Sequence, residues 1–168
     1  MGKKNLTCKI KNIELENVTH IKFLGITLDS KGLYEEHIEK IKNRCIPIIS
    51  FLHKLKHCFN TNEKTLIIFY KSLIRSILEY GHVLLLNLTE TRKNKIEVIQ
   101  NKALRTILGC DYLTSNKNIR QHFKIEKMSD RHKKLSKKWY DKALTIRHHP
   151  MNNHNFEFFD FFNFNVYI

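Results

Sequence analysis

The sequence predicts a mainly α protein: a helical bundle preceded by a short N-terminal β-hairpin and followed by a basic helical connection. Three observations carry this. Apolar residues recur at steps of three and four over most of residues 34–108, strict alternation is confined to the first thirty residues, and Lys and Arg concentrate in the last third. At 168 residues, 42% of them hydrophobic, the chain is long enough to bury a core.

Residues 7–16, TCKIKNIELE, alternate apolar and polar side chains, and THIKFLGITLD follows at 19–29, so the two segments are expected to pair as a hairpin. Two strands alone are marginal in water. They need a cover, and the rest of the chain supplies only helices.

The first helix is expected from about Tyr34 to Phe59, with Ile38, Ile41, Cys45, Ile48, Leu52, Leu55 and Phe59 as one stripe and Pro47 as a kink or break. NTNEKTLIIFYKSLIRSILEYG then opens with Asn60 or Thr61 as N-cap and Glu63 in the first turn. It is apolar on most of its circumference, as a central helix would be, and Gly81 can end it. A third helix over Glu90–Leu108 sets Ile96, Ile99, Ala103, Leu104, Ile107 and Leu108 on one side and stops at Gly109. A short helix fits residues 115–123. A longer one begins at Met128, with Met128, Leu135, Trp139, Ala143 and Ile146 as its seam and Pro150 as its stop. On that spacing Trp139 is a core residue, although a Trp-Tyr pair among lysines can also stack on bases. Residues 151–168 are low-complexity Asn and Phe and read as a tail.

Thirty Lys and Arg against 16 Asp and Glu give a net charge of +14, which favours polyanionic partners. Residues 117–147 alone contribute +8, so this region is the electrostatic footprint. Cys8, Cys45, Cys58 and Cys110 form no Cys-x-x-Cys pair, and the N-terminus carries no secretory apolar run. Free thiols and an intracellular location, cytoplasmic or nuclear, are expected. The most apolar stretch is interrupted by Lys71, Arg75 and Glu79, which argues against a membrane span.

Catalytic signatures are missing: there is no Gly-rich phosphate loop, no Gly-x-Ser-x-Gly and no His-Glu-x-x-His. His53, His57 and Cys58 have the spacing to share a metal if a further ligand arrives, but His among Lys on a polar helix face is ordinarily solvated. No catalytic residue and no metal ligand is assigned.

The order of segments carries more than any one of them. KFLGITLDSKGLYEEHIEKI, LIIFYKSLIRSILEYG, KIEVIQNKALRTILG and TSNKNIRQHFKIEKMSDRHKKLSKKWYDKALTIRHHPMN resemble, in order and spacing, the C-terminal thumb and connection of reverse transcriptases from jockey-type non-LTR retrotransposons. The resemblance spans roughly residues 8–153. It departs from the family at Arg75-Ser76, where Arg-Pro is frequent, at HVLLLN, where Val-Trp commonly follows the Gly, and in the tail.

The resemblance implies a fragment of an RNA-directed DNA polymerase that grips template and primer. Leu24, Gly25, Leu28 and Asp29 would lie in the hairpin that holds the primer strand. The division implied is residues 1–30 for that palm-edge hairpin, 31–110 for the thumb-like bundle, 111–150 for the basic connection and 151–168 for the tail. The nucleic-acid-binding residues would be Lys22, Gly25, Arg92, Lys93, Lys102, Arg105, Arg131, Lys133, Lys134, Lys137 and Lys138. Their partner would be an RNA/DNA hybrid or duplex held without regard to sequence. The family's magnesium site and its Tyr-x-Asp-Asp strand would lie upstream of Met1, in a palm and fingers portion that this chain would need as a partner. No cofactor is then expected in this chain, and no activity from it alone. Two other readings compete: a stand-alone basic nucleic-acid-binding module, and a translated relic without function.

Overall fold

The structure, a computed structural model, describes residues 9–10, 13–14, 17–110 and 113–145. The expected tail, Ile146, Pro150 and Cys8 lie outside these residues. The architecture is mainly α, with antiparallel hairpins at the N-terminus followed by helices.

Strand pairing differs from expectation. Among the described residues, the segments 7–16 and 19–29 do not pair with each other; the paired strands lie within each segment. Strand β1 (Lys9–Ile10) pairs with β2 (Ile13–Glu14), and β3 (His20–Phe23) pairs with β4 (Ile26–Asp29) in the register His20↔Asp29 to Phe23↔Ile26. The cause is the dipeptide Leu24-Gly25. Both residues take positive φ, 46° and 81°, so they form the two-residue turn whose twist matches a hairpin.

Helix α1 (Glu35–Cys58) starts after Asp29 has turned the chain. The Asp29 carboxylate accepts the backbone N–H groups of Lys31 at 3.0 Å, Leu33 at 3.0 Å and Tyr34 at 2.5 Å, orphan donors that would otherwise need water. Burial raises the carboxyl's pKa, but the three N–H donors outweigh it and hold Asp29 below its ordinary range. The helix runs through Pro47 without ending. Pro47 and Asn43 are both exposed, so water can take the carbonyl that Pro47 cannot serve. Ile38, Ile41, Cys45, Ile49 and Leu52 face the core, while Phe59 is 73% exposed.

Neither Asn60 nor Thr61 caps the next helix. Asn60 takes φ 47° and Thr61 N–H donates to the Leu55 carbonyl, so both serve to turn the chain off α1, and Asn62 is the cap, accepting from Thr65 N–H at 2.9 Å. Helix α2 (Glu63–Phe69) continues through a π-helical turn, Tyr70–Arg75, into α3 (Ser76–Glu79). Leu66, Tyr70, Ile74 and Leu78 all have zero exposure. At 3.6 residues per turn, each step of four overshoots by ~40°; the wider π turn compensates and keeps all four on one line. At Gly81, with φ 72°, a Cβ would stand 3.0 Å from Ile26 Cδ1, so a side chain there would press on the hairpin. The short helix α4 (His82–Leu85) follows.

Helix α5 (Glu90–Leu108) ends on Gly109, whose N–H donates to the Arg105 carbonyl. It packs Ile96, Ala103, Leu104 and Ile107 against α1 and the π turn. Ser115 caps α6 (Asn116–Phe123). A buried relay ties these layers together: Tyr70 hydroxyl donates to Gln100 Oε1 at 2.9 Å, and Gln100 Nε2 donates to the Glu126 carbonyl at 2.9 Å. Buried polar groups satisfied in this way fix one arrangement of the core.

Helix α7 (Met128–Thr145) buries a different seam from the one expected: Met128, His132, Ser136, Tyr140 and Ala143 face inward. Trp139 is 39% exposed and is not the core residue; Tyr140 is. Polar His132 and Ser136 occupy inward positions, and this disguised the phase of the apolar pattern.

Candidate nucleic-acid interface

The hairpin β3–β4 is anchored to the helices at two points. At its tip, the Tyr80 hydroxyl donates to the Leu24 carbonyl. Within β4, Thr27 N–H points to His37 Nδ1 at 3.5 Å and Lys40 Nζ donates to Thr27 Oγ1 at 2.8 Å. Gly25, Arg44, Ser76, Ile77 and Tyr80 line an open cavity of about 360 Å³ beside the turn. Arg44 is exposed on this rim and was missed by sequence reasoning. Its signal was present: Lys40 and Arg44 stand one turn apart on α1.

The opposite face of the hairpin is apolar and open. Ile21 and Phe23 are 55% and 61% exposed, and their cross-strand partners Leu28 and Ile26 are half-buried. Leu24 and Val18 extend the patch.

The basic residues singled out in the sequence fall into two groups. Five make ion pairs or hydrogen bonds within the chain. Arg92 Nε meets Glu35 at 3.1 Å, Lys93 meets Glu90 at 3.0 Å, and Arg105 donates to the Thr114 carbonyl and Asn116 Oδ1. Arg131 meets Glu79 at 2.7 Å and Lys134 meets Glu126 at 2.5 Å. Glu79 is also held by Arg75 at 2.6 Å, so one carboxylate joins α3 to α7. Burial raises the Glu79 pKa, but the hydrogen bonds from Arg131 and Arg75 bring it below the ordinary range. Beside it, His132 Nε2 donates to the Leu78 carbonyl at 2.8 Å. Burial lowers the His132 pKa against the opposing pull of that carbonyl, and His82 nearby lowers it further.

The other group, Lys22, Lys102, Lys133, Lys137 and Lys138, is exposed and outside every ion pair described. Lys133, Lys137 and Lys138 share α7, and Lys22 and Gly25 share the exposed hairpin. Cations in this state can meet phosphates without dismantling the fold.

Among the described residues, no three His, Cys, Asp or Glu converge where a metal ion could sit. His53 and His57 stack with ring centroids 4.3 Å apart on the exposed side of α1. Cys45, Cys58 and Cys110 are free. No described helix is long and apolar enough to cross a membrane.

The chain is similar to RNA-directed DNA polymerases of mobile elements in Drosophila melanogaster. It is 28% identical over 124 residues to the polymerase from mobile element jockey, covering 72% of this chain and 13% of that protein. It is 23% identical over 146 residues to the probable polymerase from transposon BS, covering 85% and 16%. To the probable polymerase from transposon X-element it is 23% identical over 136 residues, covering 79% and 15%. The resemblance to jockey and other non-LTR elements is what a piece of such a polymerase would display. The chain spans less than a fifth of the length of these relatives. No family model and no solved structure matches the chain.

Proposed function

We propose that the chain is the template- and primer-gripping thumb region of a retrotransposon RNA-directed DNA polymerase, with residues 1–30 as the hairpin at the palm edge and 111–150 as a basic connection. It grips an RNA/DNA hybrid or duplex through phosphates, without sequence preference. The observation that carries this reading is the separation of its cations: Arg131 braces the fold through Glu79 while Lys133, Lys137 and Lys138 stand exposed on the same helix, α7, outside every ion pair described. On this reading magnesium-dependent nucleotidyl transfer belongs to the remainder of the polymerase, and no step of it is assigned to these residues.

The hairpin supports the same reading. Ile21 and Phe23 present an apolar β face to solvent, the kind of surface that a neighbouring sheet covers. A palm adjoining β3 would supply that cover.

The test is titration of the purified chain with an RNA/DNA hybrid, a DNA duplex and a single strand at two salt concentrations. Folding is followed by circular dichroism. Hybrid or duplex affinity that falls steeply with salt and ignores sequence is expected. A folded chain with no duplex affinity, or with affinity indifferent to salt, overturns the proposal.

A further inference from the structure

A second concave surface lies between α1 and α5. Its floor is Ile38, Ile49 and Ile99, and two apolar side chains stay open to solvent above it, Ile46 at 39% and Val98 at 63%. Lys42, Lys95 and Lys102 stand around the floor, with Glu39 in the lining and Glu35 beside Lys95, and the cavity measures about 380 Å³. We infer that this groove is a docking site for an acidic amphipathic helix of a partner protein.

The shape sets the occupant's length. From Ile38 to Ile49 the lining follows α1 for about three turns, roughly 16 Å, which a partner helix of similar length spans. An apolar seam would fill the space beside Ile46 and Val98.

Charge sets its sign. Three ammonium groups border an apolar strip, so carboxylates on the flanks of that seam find cations. Lys42 now meets Glu39 at 2.6 Å and Lys95 meets Glu35. Both are exposed pairs, which solvent screens and a partner can exchange. Lys102 makes no ion pair among the described residues. A nucleic-acid backbone would satisfy the lysines but offers nothing apolar to cover Ile46 and Val98. An interface this small is a transient one.

The probe is a synthetic fluorescent four-turn helix with Leu at i, i+3 and i+7, flanked by Glu, with a Lys-flanked version as control. Anisotropy against the full chain should give saturable binding of the acidic helix and none of the control. Val98→Glu should weaken it at least ~10-fold with an unchanged melting temperature, since Val98 is already exposed. The double variant Lys95→Glu and Lys102→Glu should instead bind the Lys-flanked helix. The inference is overturned if the acidic helix does not bind, or if Val98→Glu binds it equally. A hybrid duplex whose affinity drops as much on Val98→Glu would assign the groove to nucleic acid. A dimer dissolved by Val98→Glu in sedimentation would assign it to a second copy. Either result also overturns it.

Discussion

The hydroxyl of Tyr80 donates to the carbonyl of Leu24, joining the end of the central helix to the tip of a hairpin 56 positions earlier. The two belong to separate stretches of sequence, ILEYG and FLGITLD, that look unrelated until the chain folds. This bond fixes where the hairpin stands on the bundle. Removing the hydroxyl with Tyr80→Phe should cost about 0.5–1.5 kcal/mol in urea unfolding. It should also speed hydrogen exchange of the β3–β4 amides while leaving that of α5 unaltered.

Gly25 takes φ 81°, and its neighbour Leu24 already carries a positive φ. Gly25→Ala should destabilise by about 1–2 kcal/mol, because an L side chain is strained there. Space is not the reason, since the nearest atoms to a Cβ are 3.7 Å away on Tyr80. A melting temperature equal to wild type would contradict the turn.

Asp29 substitutes for a conventional N-cap, as Tyr34 makes no side-chain cap. Asp29→Ala should cost about 0.5–2 kcal/mol, read by thermal unfolding, and helicity of α1 should decline with it.

Arg131 and the α7 lysines should separate in a mutant series. Arg131→Gln leaves Glu79 with Arg75 alone and should destabilise by about 1–2 kcal/mol. The triple change Lys133→Gln, Lys137→Gln and Lys138→Gln should leave stability within about 0.5 kcal/mol. It should lower the slope of log affinity against log salt by up to about 2–3 in duplex titrations. Unchanged slope would remove these lysines from the interface.

Acid should loosen the fold in two stages. Burial lowers the pKa values of His132, His82 and His37 below 6.5, so the unfolded chain takes up protons first as the pH falls. Their stabilisation is complete above about 6.5 and is lost below it, toward their folded values. Asp29 and Glu79, with folded values lowered from 3.8 and 4.5, add a second loss as the pH falls through those values. Melting temperature should therefore drop between pH 7.5 and 5.5, and His132→Gln should flatten that drop.

The helices were legible because their faces repeat: Ile38, Ile41, Cys45 and Leu52 on α1, and Ile96, Ala103 and Ile107 on α5, are buried as their spacing demands. The seam of α7 was not. His132 and Ser136 are polar yet buried, so the apolar residues Leu135 and Trp139 drew the phase one position away. The self-folding of residues 19–29 was hidden because Leu24 is an unusual residue for positive φ, whereas an Asn-Gly would have announced the turn. Of the candidate interface, the basic helix was readable from charge density alone. Which cations are already engaged was not, since Arg131 and Glu79 are 52 positions apart and meet only in the folded chain.

The π turn at Tyr70–Arg75 makes the residue count of the central helix a ruler of angle. Winding the same six residues as ordinary α-helix would swing everything beyond them by about 100°. Glu79 would leave Arg131, and Tyr80 would leave Leu24, although no residue of either pair had changed. Loss of the π turn with every residue kept would therefore act as a rotation, detaching hairpin and basic helix in a single event while the surrounding sequence still read as the same protein.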